Sequence, residues 1–140
     1  MTGKVLIERW LASQLSTLTY DGNAVKVYRH PAPASVSYPF ITVALTSAVD
    51  LLHVGSPTDY ERIQYTIRVW DTGTSTVRVN AIASQLHQLI KGVPPVNVVG
   101  GSIVSCERVG ALAFDSYTER NGELFQVDGG VYRFLVVTNS

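Results

Sequence analysis

The clearest periodicity in the chain lies between residues 61 and 70. There Ile63, Tyr65, Ile67 and Val69 alternate with Gln64, Thr66 and Arg68. A period of two predicts a strand with one face in a core and the other toward solvent or a partner. A different period opens the chain. Ile7, Leu11, Leu15 and Leu18 recur at spacings of four, four and three, with Leu6 and Trp10 widening the stripe, so residues 4–19 read as an amphipathic helix. Asp21-Gly22-Asn23 then supplies a turn. A second helical stripe, Val79, Ile82, Ala83, Leu86, Leu89 and Ile90, begins after Thr74 or Ser75 as a cap and stops at Gly92 before Pro94-Pro95.

Shorter strands are read at 24–29 and at 40–45, the latter rich in β-branched residues. Between them, three prolines in 30–39 exclude regular structure and leave a connector. Strands 40–45 and 61–70 are expected to pair as a hairpin with a long tip, because 46–59 mixes apolar and turn residues. Two further strands are read at 101–109 and 131–138. The segment between them is a twisted ribbon or a loop with its own small hairpin, with Asn121-Gly122 and Asp128-Gly129-Gly130 as turn signals. The fold class expected is α+β: a mostly antiparallel sheet of about five strands with two helices packed on one face. No repeat or linker divides the chain, so residues 1–140 are expected to form a single domain.

Composition adds one clue. Hydrophobic residues make up 46% and charged residues 16%, against a usual charged share of about 25%. A chain short of charge hides surface against other copies or partners. Net charge is zero, from 11 basic and 11 acidic residues. No basic run is present, which argues against a sequence-reading nucleic-acid binder. The N-terminal segment lacks the pattern of a secretory signal, and no apolar stretch is long enough to span a membrane.

Candidate chemistry is sparse. Cys106 has no partner for a disulfide and reads as a buried thiol on a strand. His30, His53 and His87 lie in three separate contexts, and no helical neighbour of His87 completes a metal pair. Carboxylates fall mostly at turns and strand ends, and the glycine pairs precede strands rather than helices. No catalytic residue, metal ligand or cofactor is assigned. Aromatic residues in irregular stretches, Phe114, Tyr117 and Phe125, are either core or interface. With Leu51, Leu52, Val54 and Leu112 they form the candidate contact set, because these apolar residues follow no period that would direct them into the chain's own core.

Several segments together carry a family resemblance. These are the opening helix from Val5 to Leu18, Val25-Lys26-Val27-Tyr28, Pro31-Ala32-Pro33, and Tyr38-Pro39-Phe40-Ile41-Thr42-Val43. Tyr65-Thr66-Ile67-Arg68-Val69-Trp70-Asp71, the helix Ala81 to Ile90, Glu107-Arg108 and Gly130-Val131-Tyr132-Arg133-Phe134-Leu135-Val136-Val137 follow in order. The pattern resembles the small tail-terminator, or tail-completion, proteins that join head and tail in long-tailed bacteriophages. The glycine-rich 110–130 segment is more elaborate than that pattern. The resemblance implies a non-enzymatic virion protein at the tail end or neck, assembled in the host cytoplasm as a homo-oligomeric ring of six. Its implied partners are the major tail tube protein and the head–tail connector, with DNA passing through the ring and no sequence-specific nucleic acid or membrane contact. A head-completion or adaptor protein of the neck is the alternative, and a small non-viral ligand-binding module a more distant one.

Overall fold

The computed structural model describes residues 2–33, 35–51, 60–73, 75–111, 114–118 and 124–138. Helix α1 runs Gly3–Leu15, and the hydroxyl of its N-cap, Thr2, accepts the Val5 N–H at 3.4 Å. The expected helix ended later, near residue 19. The Ser16 and Thr17 hydroxyls instead donate to the Ser13 and Gln14 carbonyls, which offers the backbone a way out of the helix. Leu18 still reaches the core. Asp21 and Gly22 both have positive φ, as a type I′ turn requires. That turn closes a small hairpin of β1 (Thr19–Tyr20) and β2 (Asn23–Ala24).

The main sheet has seven strands: β3 (Lys26–Arg29), β4 (Phe40–Leu51), β5 (Tyr60–Thr72), β6 (Val96–Val98), β7 (Gly101–Ala111), β8 (Phe114–Thr118) and β9 (Leu124–Thr138). Their order is β3-β4-β5-β9-β7-β6, with β8 also paired to β9. Every pairing is antiparallel except β3 with β4. The parallel pair explains the proline-rich connector: the chain must return to the starting end of the sheet, and 30–39 carries it there. The fold class is α+β, with two more strands in the main sheet than the expected five.

β4 and β5 form the expected hairpin but run further than predicted. β4 continues through Thr46–Leu51 beyond a bulge between Leu45 and Ser47. β9 is the sheet's longest strand and pairs with β5 from Phe125↔Thr72 to Val137↔Tyr60. Asp128-Gly129-Gly130 is not a turn but the middle of β9. A side chain at Gly129, which has φ of +149°, would press its Cβ to 2.1 Å from the Ile67 carbonyl oxygen. These glycines let strands approach closely.

Both helices lie on one face of the sheet. Helix α2 (Val77–Lys91) starts where Ser75 Oγ accepts the Val77 N–H at 3.3 Å and ends at Gly92. It buries Val79, Ile82, Ala83, Leu86 and Ile90. Leu6, Ile7, Trp10, Leu11 and Leu15 of α1 join them over Ile41, Ile63, Tyr65, Ile67, Val69, Ile103, Tyr132, Phe134 and Val136. Trp10 and Tyr65 each meet the Phe134 ring edge-on, at centroid distances of 6.0 and 6.3 Å. Each large aliphatic side chain sealed here contributes roughly 1.5–3 kcal/mol of transfer free energy.

Candidate assembly surfaces

The polar groups of the helix-covered side mostly tie elements together. Asp71, at the end of β5, is buried and receives both Nε and an Nη of Arg78 from the first turn of α2, the Nε at 2.8 Å. This two-point pair fixes the angle at which α2 leaves the sheet. His87 on α2 lies with Nδ1 3.2 Å from the Tyr132 hydroxyl. Burial, aided by the positive charges of Arg108 and Lys91, holds the imidazole below its usual pKa. Cys106 is buried on β7, and loss of solvent pushes its thiol up to about 12. That is the environment of a packing thiol rather than a nucleophile. Among the described residues no three His, Cys, Asp or Glu side chains converge as metal ligands. None of the described helices is long and apolar enough to cross a membrane.

Depressions flank this core. A groove of about 480 Å³ runs between α1 and the edge strand β3, floored by Leu11, Ala12, Val25, Val27 and Val43. The exposed Arg29–Glu8 ion pair, 2.9 Å, closes one side. A smaller polar hollow of about 190 Å³ lies between α2 and β9, lined by Ser84, His87, Gln88, Arg108 and Asp128.

Neither described helix lies on the opposite face of the sheet. At one end an aromatic cluster covers it. Phe40 stacks on Trp70 at 6.1 Å, and Tyr38 lies 5.1 Å from Phe40 and 5.7 Å from Phe125. The Trp70 indole N–H donates to Thr42 Oγ1 at 2.9 Å. Tyr38 comes from the connector, so that segment also lays a lid on this end of the face. Beyond the cluster the face turns polar, with Arg62, Gln64, Thr66 and Arg68 of β5 beside Val131, Arg133 and Leu135 of β9. Exposed apolar residues gather on the hairpin and at the bulges. Leu45 and Val49 on β4 are more than two-fifths exposed, and Val104 and Val109 stand at the register shifts of β7.

The predicted contact set divides. Leu51 ends β4, half-buried, at the base of the hairpin tip. Leu52, Val54 and Leu112 lie outside the described residues. Phe114 and Tyr117 belong to β8, which pairs with β9. Phe125 differs from the expectation. Only 3% exposed, it is taken into the aromatic cluster by Tyr38, a partner that the reading of 30–39 as a bare connector did not supply. The arginines of the helix-free face were not singled out from sequence. The signal was the shared parity of positions 62 and 68 on one strand.

No family model matches the sequence, and no curated protein matches it. Among solved structures, the chain is similar to one in the virion of a native gene transfer agent particle, with a TM-score of 0.58 at 15% identity. The alignment covers 96% of this chain and 94% of the other. At that identity the likeness is one of fold, and it extends over the whole chain.

Proposed function

We propose that this chain is a non-enzymatic structural protein of a phage-like virion, and that it closes into a ring, hexameric when complete, which caps the tail tube and joins it to the head connector. The observation that carries this reading is the end-to-end fold likeness to a chain in a gene transfer agent virion. The order of sequence segments that resembles tail terminators points the same way. Physical features of the chain suit assembly. The charge share is low, both outer strands of the sheet, β3 and β6, have one neighbour each among the described strands, and Leu45 and Val49 stand exposed on the long hairpin. Unpaired strand edges and apolar ridges are what a subunit covers with its neighbours.

In this reading the hairpin tip, with Leu51, Leu52 and Val54, and the 110–129 ribbon, with Leu112, Phe114 and Tyr117, make the contacts to other subunits and to tail or head. Phe125 supports the ribbon from within. Negative-stain imaging of assembled tails, with mass photometry of the isolated protein, tests the ring. A protein that is monomeric on the tail as well as in solution overturns it. The double substitution Leu51→Ser with Leu52→Ser tests the contacts. A folded subunit with unchanged thermal stability that no longer assembles is expected. Lost stability with normal assembly at permissive temperature assigns the tip to the chain's own core instead.

A further inference from the structure

The helix-free face has a charge pattern that the neutral total conceals. Arg62 and Arg68 share parity on β5, and six residues at roughly 3.3 Å each set them about 20 Å apart. Arg133 lies between them along the sheet, on the neighbouring strand and opposite Gln64. Lys26, in register with Phe40 on the same face, adds a fourth cation near the margin. Against these, one carboxylate shares the face among the described residues: Glu107, 66% exposed and 3.9 Å from Arg133. The other described acidic side chains lie elsewhere: Glu8 pairs with Arg29, Asp71 with Arg78, Glu61 accepts the Gly3 N–H at 3.1 Å, Asp128 lines the hollow beside α2, and Asp21 sits in the β1–β2 turn.

We infer that this face binds the phosphate backbone of duplex DNA, without reading its sequence, through Arg62, Arg68 and Arg133. Guanidinium groups are charged at every working pH and fit phosphate oxygens two at a time. Near them lie the partly exposed neutral side chains Gln64 and Ser105, which can donate to phosphate without repelling it. The Trp70 ring, two residues from Arg68, offers no open stacking platform, because it is stacked on Phe40 and its N–H is engaged. That disfavours single strands, whose affinity comes from bases stacked on free aromatic rings. Cations spread over about 20 Å suit a polymer of evenly spaced charge, which duplex DNA is at one negative charge per about 1.7 Å. A compact acidic patch on a protein would be met by a tighter cluster. The inference rests on this charge pattern and stands or falls independently of ring assembly.

Fluorescence anisotropy with two labelled 30-base-pair duplexes of unrelated sequence tests it on the full chain. Equal binding of both duplexes is expected, weakening a hundredfold or more between 20 and 200 mM salt, as release of about three phosphate counterions requires. Arg62→Gln with Arg68→Gln and Arg133→Gln should lower affinity at least tenfold and flatten the salt dependence. Lys4→Gln with Arg9→Gln, exposed on α1, should change neither. Circular dichroism checks that the triple variant is folded; if it is not, the single variants Arg62→Gln and Arg68→Gln are each expected to weaken binding severalfold. Absence of saturable binding at 20 mM salt overturns the inference, as does an equal loss in the α1 variant. Displacement by polyglutamate as effective as by unlabelled duplex assigns the face to an acidic protein and overturns it too.

Discussion

On strand β5, the odd-numbered residues from Ile63 to Asp71 and the even-numbered residues from Arg62 to Thr72 belong to the same thirteen-residue segment, yet they meet different surroundings. Ile63, Tyr65, Ile67 and Val69 are sealed beneath two helices. Arg62, Gln64, Arg68 and Trp70 stay partly exposed on a face with no helix over it. The contrast separates two requirements that one strand must meet. The covered face supplies the apolar burial that keeps the domain folded. The open face is thereby released from packing constraint, and its polar side chains can be chosen for what they touch outside the chain.

Substitution on the covered face is the most direct way to break this contrast. Phe134→Ala removes a ring that meets Trp10 and Tyr65, and a loss of about 3–5 kcal/mol is expected in urea unfolding. A loss under 1 kcal/mol would mean that the sealed face does not dominate stability. The next effect is a pH dependence. Burial raises the Cys106 thiol and the Tyr132 hydroxyl to about 12 each, and raises Tyr65 as well. In the unfolded chain these groups release protons from about pH 8.5 to 10 upward. Rising pH therefore favours the unfolded state: the stability they contribute is intact below about pH 8.5 and declines as pH climbs toward 12. Urea midpoints from pH 8 to 11 should fall, and Tyr132→Phe should make the fall shallower.

Away from the sealed core, smaller effects are expected. Trp70→Phe keeps the ring over Phe40 but removes the indole bond to Thr42, a cost of about 1 kcal/mol. Arg29→Ala breaks an ion pair whose arginine is 71% exposed, and its effect on the unfolding midpoint should fall within about 0.5 kcal/mol. If Arg29→Ala proved as damaging as Phe134→Ala, the separation between a stabilising face and a free exterior would collapse.

The covered face was legible because burial writes itself into periodicity. Ile63 to Val69 and Val79 to Ile90 carried their periods openly, and both elements stand where those periods put them. The parts that escaped had weaker local signals. Thr46-Ser47-Ala48 is small and polar, and the bulge before Ser47 shifts parity, so the last residues of β4 did not read as strand. β6 is three residues long, directly after two prolines. Gly129-Gly130 looks like a turn in any local reading, and its role in close strand approach appears only once β5 and β9 are side by side. The aromatic cluster brings Tyr38, Phe40, Trp70 and Phe125 together from three separate parts of the chain, a meeting that no window of sequence contains. The contact set rested on apolar residues without period. Phe125 illustrates the limit of that rule, since a missing period can also mean a partner far away in the chain.

The place of β9 in the sheet also governs when the protein can exist at all. It is the neighbour of β5, β7 and β8, it contributes Tyr132, Phe134 and Val136 to the core, and it lies downstream of every other described strand. During synthesis, α1, the long hairpin and α2 therefore emerge with no central strand to rest on. Contacts this distant in sequence form late and slowly, and until they form the apolar side of β5 is open to other chains. A ribosome that stops short of β9 releases a sticky fragment rather than a smaller working part. Synthesis of β9 is thus a built-in checkpoint, and only molecules that carry it present the folded surfaces on which further association depends.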